Sequence, residues 1–222
     1  MKTLFTLVLS ILSAALFAQL NIGDIYLGGG ICLETESVSS TFGGSTTDGP
    51  STNYFSLSTY GQLAITNNIT VGGGLGFESE SGSSTDEFST GDFSSNLFMA
   101  KGAARHWTTC GGPDSPVKPF VQAEIAAGFG KSESSFESGG ENFTSTDDLF
   151  NFRAGLRAGI YYDLNKHWGL TLSTGRIGYW SEKQSQSDFS VKTSGFDFKA
   201  GLKRPELSLV YLIRPNLVSD PN

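Results

Sequence analysis

Apolar and polar residues alternate through eight separate runs, the connections between them alternate between short and long, and aromatic residues gather at two heights along them. Together these predict an all-β chain closed as an eight-stranded antiparallel up-and-down transmembrane β-barrel.

The chain opens with Lys2 and an apolar stretch from Leu4 to Phe17, broken only by Thr6, Ser10 and Ser13 and ending in SAALFAQ. A positive start, an apolar centre and small residues predict a secretory signal peptide over residues 1–18, cut between Ala18 and Gln19, with a cut after Ala15 as the alternative. No cysteine stands at that junction, so a lipoprotein is not expected. Residues 19–222 then form one barrel domain of ordinary size. No later stretch approaches the ~18 apolar residues of a membrane helix.

In the first run Ile25, Leu27, Gly29, Ile31 and Leu33 share one face and Asp24, Tyr26, Gly28 and Gly30 the other. The second sets Phe55, Leu57, Thr59, Gly61, Leu63 and Ile65 against Tyr54, Ser56, Ser58, Tyr60 and Gln62. The third sets Ile69, Val71, Leu75 and Phe77 against Thr70, Gly72, Gly74, Gly76 and Glu78, and the fifth sets Val121, Ala123, Ile125, Ala127 and Phe129 against Gln122, Glu124, Ala126 and Gly128. The sixth is the clearest, with Phe150 through Tyr162 on even positions against Asn151, Arg153, Arg157 and Asp163 on odd ones. The seventh runs from Trp168 to Trp180. The eighth begins at Phe196, and its parity flips after Pro205 to Leu207, Leu209, Tyr211 and Ile213, which predicts a bulge near Arg204–Glu206. In the fourth, Phe93 to Trp107, neither parity is clean, so its register stays open.

TNN joins strands two and three, NKH joins six and seven, and the longer TTCGGPDSPVK joins four and five. The remaining connections, residues 36–51, 78–92, 131–148 and 182–192, read as long polar loops. Short turns at one end and long loops at the other are the plan of bacterial outer-membrane barrels. Without Lys2, 14 basic residues face 22 acidic ones, and the loops hold 14 of the acids but only Lys131, Lys183 and Lys192. An acidic outer surface follows, and nucleic acid is excluded as a partner for want of clustered Lys and Arg. Phe77, Phe129, Phe150, Trp180 and Phe196 are expected as the outer aromatic girdle, and Trp107, Phe120, Tyr162, Trp168 and Tyr211 as the inner one.

The stretch NYFSLSTYGQLAITNNITVGGGLGFES resembles the second and third strands of the outer-membrane β-barrel family abundant in Bacteroidetes. GAARHW, KPFVQAEIAAGFG and LSLVYLI are similar to that family's turn-side strand end, returning strand and closing strand. The family is related in architecture to small barrels such as OmpX and the membrane domain of OmpA. The resemblance implies the fold across the mature chain and no substrate.

One set of residues carries chemistry. Glu124, Arg153, Arg157, Asp163, Lys199 and Lys203 share the inward parity and are expected to form an ion-pair network that fills the bore. Glu124 is expected to be the main counter-charge for Arg153 and Arg157, since Phe129 opposite Phe150 would set Glu124 opposite Gly155 with both arginines diagonal to it. No catalytic, cofactor or metal site is expected. His106 and His167 fall at the turn ends, far from the outer serines, which leaves no nucleophile–base pair. The glycine runs are not followed by a helix, as a phosphate loop requires. No loop has calcium-site spacing. Cys32 and Cys110 are expected to be reduced, and the sequons at Asn68 and Asn142 to be chance.

The expected role is a non-catalytic structural or surface-interaction protein of the bacterial outer membrane. A narrow channel for small solutes is the alternative, and a lipid-modifying barrel enzyme comes third. The expected partners are outer-membrane lipid and lipopolysaccharide, and the periplasmic chaperones and barrel-assembly machinery during biogenesis. A ligand for the acidic loops is left open.

Overall fold

A computed structural model describes residues 20–42, 45–86, 89–108, 115–138, 141–186, 189–199 and 204–215. The expected signal peptide over residues 1–18, Cys110 and Lys203 lie outside them. Nine strands follow one another: β1 (Ile25–Phe42), β2 (Ser45–Ala64), β3 (Ile69–Asp86), β4 (Ser89–Trp107), β5 (Val117–Ser138), β6 (Glu141–Asp163), β7 (Trp168–Gln186), β8 (Phe189–Lys199) and β9 (Glu206–Ile213). Each pairs antiparallel with its chain neighbour from β1 to β7, and β9 lies between β1 and β7, so the sheet closes into a ring. β8 pairs with β7 above β9. β8 and β9 are therefore the two halves of one wall position, and the barrel has the eight expected.

The eighth position is divided where Pro205 and the parity change place the irregularity, and Arg204 there takes a left-handed φ of 54°. Its neighbour β7 carries a second fault. Opposite Leu156 to Ala158, β7 places an extra residue between Thr174 and Ile177, at Gly175 with φ 69°. That bulge corrects the expected outer girdle. Parity flips across it, so Tyr179 faces outward and Trp180 turns into the bore.

The long loops of the sequence reading are also corrected. Residues 36–42, 45–51, 78–86, 89–92, 131–138, 141–148, 182–186 and 189–192 are strand, paired except at an irregularity between Ser37 and Ser39 of β1, and continue the hairpins well above the membrane. The ladder runs on to Asp86↔Ser89 and Ser138↔Glu141. Polar composition looked like loop, but the alternation and β-compatible Ser and Thr let pairing continue once started below.

The outward face is apolar over a bounded height. Phe55, Phe77, Phe98, Phe129 and Phe150, on the neighbouring strands β2 to β6, form an outer belt, with ring centroids 6.5 Å apart for Phe55–Phe77, 5.0 Å for Phe77–Phe98 and 5.2 Å for Phe129–Phe150. Tyr162, Trp168 and Tyr211 form the inner belt, and Trp168 and Tyr211 are 4.9 Å apart. From residue 150 to residue 162 along β6, at ~3.3 Å per residue and a tilt of ~40°, the band is about 30 Å tall. Exposed leucines and isoleucines such as Leu57, Leu75, Ile125 and Leu209 fill it.

Two residues assigned to the inner girdle belong elsewhere. Trp107 (0% exposed) and Phe120 point into the bore, because parity rather than height decides which side a ring faces. They pack with Tyr26 and Tyr161 at the turn end, the large side chains lying where the facing wall is glycine. A Cβ on Gly169 would sit 2.3 Å from the Tyr161 ring, and one on Gly159 would sit 2.3 Å from Phe120.

The closed wall should keep the purified protein folded in SDS until boiled, so that it migrates faster unboiled than boiled. Gly169→Val, which drives a side chain into Tyr161, should lower the temperature at which the fast band disappears, an overpacking cost of ~1–3 kcal/mol. Gly29→Ala, whose Cβ meets nothing closer than 3.5 Å, should leave it unchanged. A gel series over temperature reads both, and equal mobility with and without boiling would remove the barrel.

Candidate functional site

The candidate site is the bore, built from the turn end upward by side chains that alternation points inward. The floor is aromatic. Trp107 lies 5.5 Å from Phe120, 5.4 Å from Tyr161 and 5.4 Å from Tyr26, so rings from β1, β4, β5 and β6 meet across the barrel. Leu20, Ala64, Val210 and Leu212 complete the buried cluster. The indole Nε1 donates to Thr70 Oγ1 at 3.1 Å, and that hydroxyl donates to Gln62 Oε1 at 2.9 Å, so the polar edge of the floor is satisfied. Beneath it Lys118 pairs with Asp163 at the turn end.

Arg105 caps the floor. Its guanidinium lies 4.0 Å over the Phe120 ring and 5.0 Å over Trp107, and donates from Nε and Nη2 to Gln122 Oε1 at 3.0 and 2.8 Å. The cation thus rests on aromatic faces and an amide oxygen, with no carboxylate at ion-pair distance among the described residues.

Above it the charges pair across the bore. Arg157 contacts Glu206 at 2.5 Å and Glu124 at 3.5 Å, and Ser58 donates to Glu206 at 2.7 Å. Arg153 contacts Glu78 at 2.7 Å and donates to Asn151, whose amide donates to Glu182 at 3.1 Å. Arg176 meets Asp197 at 2.7 Å between β7 and β8. Highest, Arg204 lies 4.1 Å over Tyr54 and reaches Glu34 at 2.5 Å and Glu80 at 3.4 Å. These groups enclose a polar cavity of about 180 Å³ lined by Lys101, Trp180 and the Arg153, Arg157 and Arg176 side chains. Lys101 lines this cavity beside Glu78 and Glu206 with no carboxylate within ion-pair distance among the described residues.

Of the six lumen residues read from the sequence, Glu124 and Arg157 come together, Arg153 pairs with Glu78 and makes no ion pair with Glu124, and Asp163 sits at the turn end with Lys118. Lys199 lies opposite Arg176 in register, and Lys203 is outside the described residues. Phe129 faces Phe150 and Glu124 faces Gly155, as the hairpin arithmetic requires. Glu124 is nevertheless only the secondary partner of Arg157 and is not the counter-charge of Arg153. The close carboxylates are Glu78 and Glu206, delivered by β3 and β9, because an eight-stranded bore is narrow enough for an arginine to reach across it. Both were findable. Glu78 was already on the polar face of its run, and Glu206 precedes the outward Leu207. His106 and His167 lie at the turn end, bound to the Asn68 amide at 3.1 Å and the Leu212 carbonyl at 3.3 Å.

Removing one member of a buried pair costs ~3–5 kcal/mol, which lumen water should reduce to ~1–3 kcal/mol. Glu206→Gln and Glu78→Gln should therefore lower the gel-shift transition temperature more than Glu124→Gln does. An equal effect of all three would mean that cross-bore contact does not set the energy.

The chain matches the family model described as outer membrane protein beta-barrel domain over residues 4–203. Among solved structures it is similar to Neisserial surface protein A, at 16% identity over 86% of this chain and 98% of that one, with a TM-score of 0.35. It is similar to Ail, the attachment invasion locus protein of Yersinia pestis, at 15% identity over 87% and 100% with a TM-score of 0.36. The toluene transporter TodX of Pseudomonas putida matches at 9% identity over 87% and 88%, with a TM-score of 0.29. No curated protein matches the sequence. With the family model covering most of its length, and a closed ring of wall strands bounded by two aromatic belts, this chain belongs to the outer membrane protein beta-barrel domain family.

Proposed function

We propose that this protein is a closed, non-catalytic barrel of the bacterial outer membrane whose working surface is its extracellular hairpins, exported by a cleaved signal peptide over residues 1–18. The observation that carries the reading is the floor of the bore. Trp107 is fully buried between Tyr26, Phe120 and Tyr161, and Arg105 lies over the rings. A solute would have to cross packed aromatic groups and then a ladder of ion pairs that spans the bore. Leu20, the second residue after the expected cut, is packed into the same floor and its amide donates to the Asn67 carbonyl at 2.7 Å, which suits a mature chain that begins close by.

The channel reading has one observation in its favour, the charged cavity of about 180 Å³ above the floor. An open path would have to continue past Trp107. The lumen network and its lipid-facing wall are assigned a structural role. Outer-membrane lipid and lipopolysaccharide are its surroundings, and periplasmic chaperones and the assembly machinery are its partners in biogenesis.

Planar bilayers decide between the two readings. The wild-type protein should give no steady ohmic steps, whereas Trp107→Ala with Tyr161→Ala, which removes two rings of the floor, should give small ones. Uniform steps from the wild type would replace the closed barrel with a channel. Mass measurement of the protein recovered from outer membranes should place its first residue at Gln19.

A further inference from the structure

Above the outer belt the hairpins keep the same pairing and the same side-chain alternation, but the polarity of their two faces is exchanged. Below the belt, apolar residues face out and charges face in. Above it, Phe93 of β4, Phe136 of β5, Phe143 of β6 and both Phe189 and Val191 of β8 fall on the inward parity. The inward parity is set on each strand by lumen residues further down, namely Leu97 and Met99, Ala126 and Gly128, Leu149 and Asn151, and Asp197. The registers through these segments carry no shift, so the parity is conserved up to them. Phe136 and Phe143 stack at 4.9 Å with an interplanar angle of 16°, and the Phe93 ring lies over Gly82. All five remain open to solvent, Phe136 at 51% and Phe189 at 69%. Four aromatics and a valine so exposed amount to about 400 Å² of apolar surface, the scale at which patches on soluble surfaces mark interaction sites.

The basic residues sort by face as well. The basic residues of these segments, Lys131, Lys183 and Lys192, share parity with the outward Phe129, Tyr179 and Phe196 and so lie on the outside of the hairpins. The inner wall carries Glu36, Glu141, Asp147 and Glu182, and lower down Glu34 and Glu80, which Arg204 bridges. The outward positions also carry Asp92, Glu133, Glu137 and Asp148, so the outside is mixed in charge, whereas the charged side chains on the inner wall of these segments are carboxylates among the described residues. An apolar ligand carrying positive charge meets the complementary arrangement inside: rings for its apolar face and carboxylates for its cations.

We propose that the inner wall of the extracellular hairpins is a binding site for a cationic amphipathic peptide. It deepens the closed-barrel reading, on which it rests only in taking the hairpins as the working surface. Apolar side chains of the peptide pack on Phe93, Phe136, Phe143, Phe189 and Val191. Its Lys or Arg residues pair with Glu141, Asp147 and Glu182. Aromatic faces that accept a cation as well as apolar contact suit such a ligand better than an uncharged hydrocarbon.

The test uses the full mature protein in nanodiscs of zwitterionic lipid, with empty nanodiscs as the blank, and fluorescence anisotropy of three short labelled peptides. One is built of Leu and Lys, one of Leu and Glu with the same apolar pattern, and one of Ser and Lys. The Leu/Lys peptide should bind above the blank and weaken as salt is raised, while the other two bind at least about tenfold more weakly. Phe136→Ser with Phe143→Ser, and separately Phe189→Ser, should weaken the Leu/Lys peptide by about tenfold, while the outward Thr144→Ala leaves it unchanged. These rings are exposed, and the variants should retain the fast-migrating gel band. Binding no greater than the blank, equal binding of the acidic peptide, or unaltered binding by both serine variants would each overturn the proposal. Conductance is read independently. A silent bilayer without peptide binding removes only this inference, and conducting steps remove the closed barrel whatever the peptide does.

Discussion

Inside a bilayer a backbone amide has no water to bond, so each strand must find a ladder on both sides, and in a small barrel that requirement propagates into nearly every other feature. Closure needs the last wall position to meet the first, which β9 does by pairing Ile25–Ile31 of β1 with Leu207–Ile213. A ring of eight then has a bore that only side chains can occupy. From that width follow the glycines beneath Tyr161 and Phe120, since two large groups cannot share one level of the bore, and the reach of Arg157 from β6 to Glu206 on β9. The charge network is a consequence of wall geometry. Buried guanidinium groups are tolerable where carboxylates from other strands fall within contact distance or, for Arg105, where aromatic faces and an amide oxygen take their place.

The two irregularities lie side by side and do structural work together. β7 adds a residue at Gly175, and the eighth position interrupts its ladder between Lys199 and Glu206, so pairing resumes at Ser173↔Glu206 below and Arg176↔Lys199 above. Each fault flips parity on its own strand, and both strands keep apolar residues on the lipid side before and after it. The flips bring Trp180 and Asp197 inward at the cavity and set Glu206 against Arg157. Arg204, in its left-handed conformation at the interruption, bridges to Glu34 on β1 and Glu80 on β3. The site where the wall is least regular is thereby tied across the bore by side chains.

Alternation was legible because lipid and lumen impose opposite demands on successive residues, and it was clearest in β6, where Phe150–Tyr162 and Asn151–Asp163 separate without exception. The interruption near Pro205 was legible for the same reason, as a change of parity. What could not be read was the bulge at Gly175, where Gly, Arg and Thr give no polarity contrast to mark the flip, and Trp180 was placed on the wrong side in consequence. Trp107 was misassigned because aromatic residues serve equally at a membrane interface and in a bore floor, and β4 has no clean parity to choose between them; Phe120 shares parity with Gln122 and Glu124 on β5, so its inward side was legible and height along the strand was wrongly put before it. The partners of Arg153 and Arg157 depend on which strands face each other across the ring. Adjacent-strand arithmetic, which correctly set Glu124 opposite Gly155, does not contain that distance.

The extent of the hairpins was missed for a related reason, and it shows what alternation encodes. Strand pairing is indifferent to the medium, so Ser- and Thr-rich segments continue a ladder nucleated in the membrane. What changes at the outer belt is the solvent around the ring. Beneath the belt, lipid takes the apolar face on the outside. Above it, the outside is water, and Lys131, Glu133, Glu137 and Asp148 occupy the outward positions. Apolar residues that persist there, Phe93, Phe136, Phe143, Phe189 and Val191, have moved to the inner face. A sequence selected only for solubility above the membrane would carry Ser or Thr on both faces, as most of these segments do. Keeping phenylalanine on three separate hairpins, all on the side sheltered from the bilayer and from its anionic headgroups, costs hydration free energy that nothing in the free barrel returns. A bound apolar face returns it, and the carboxylates interleaved with those rings set the sign of the charge that such a face must carry.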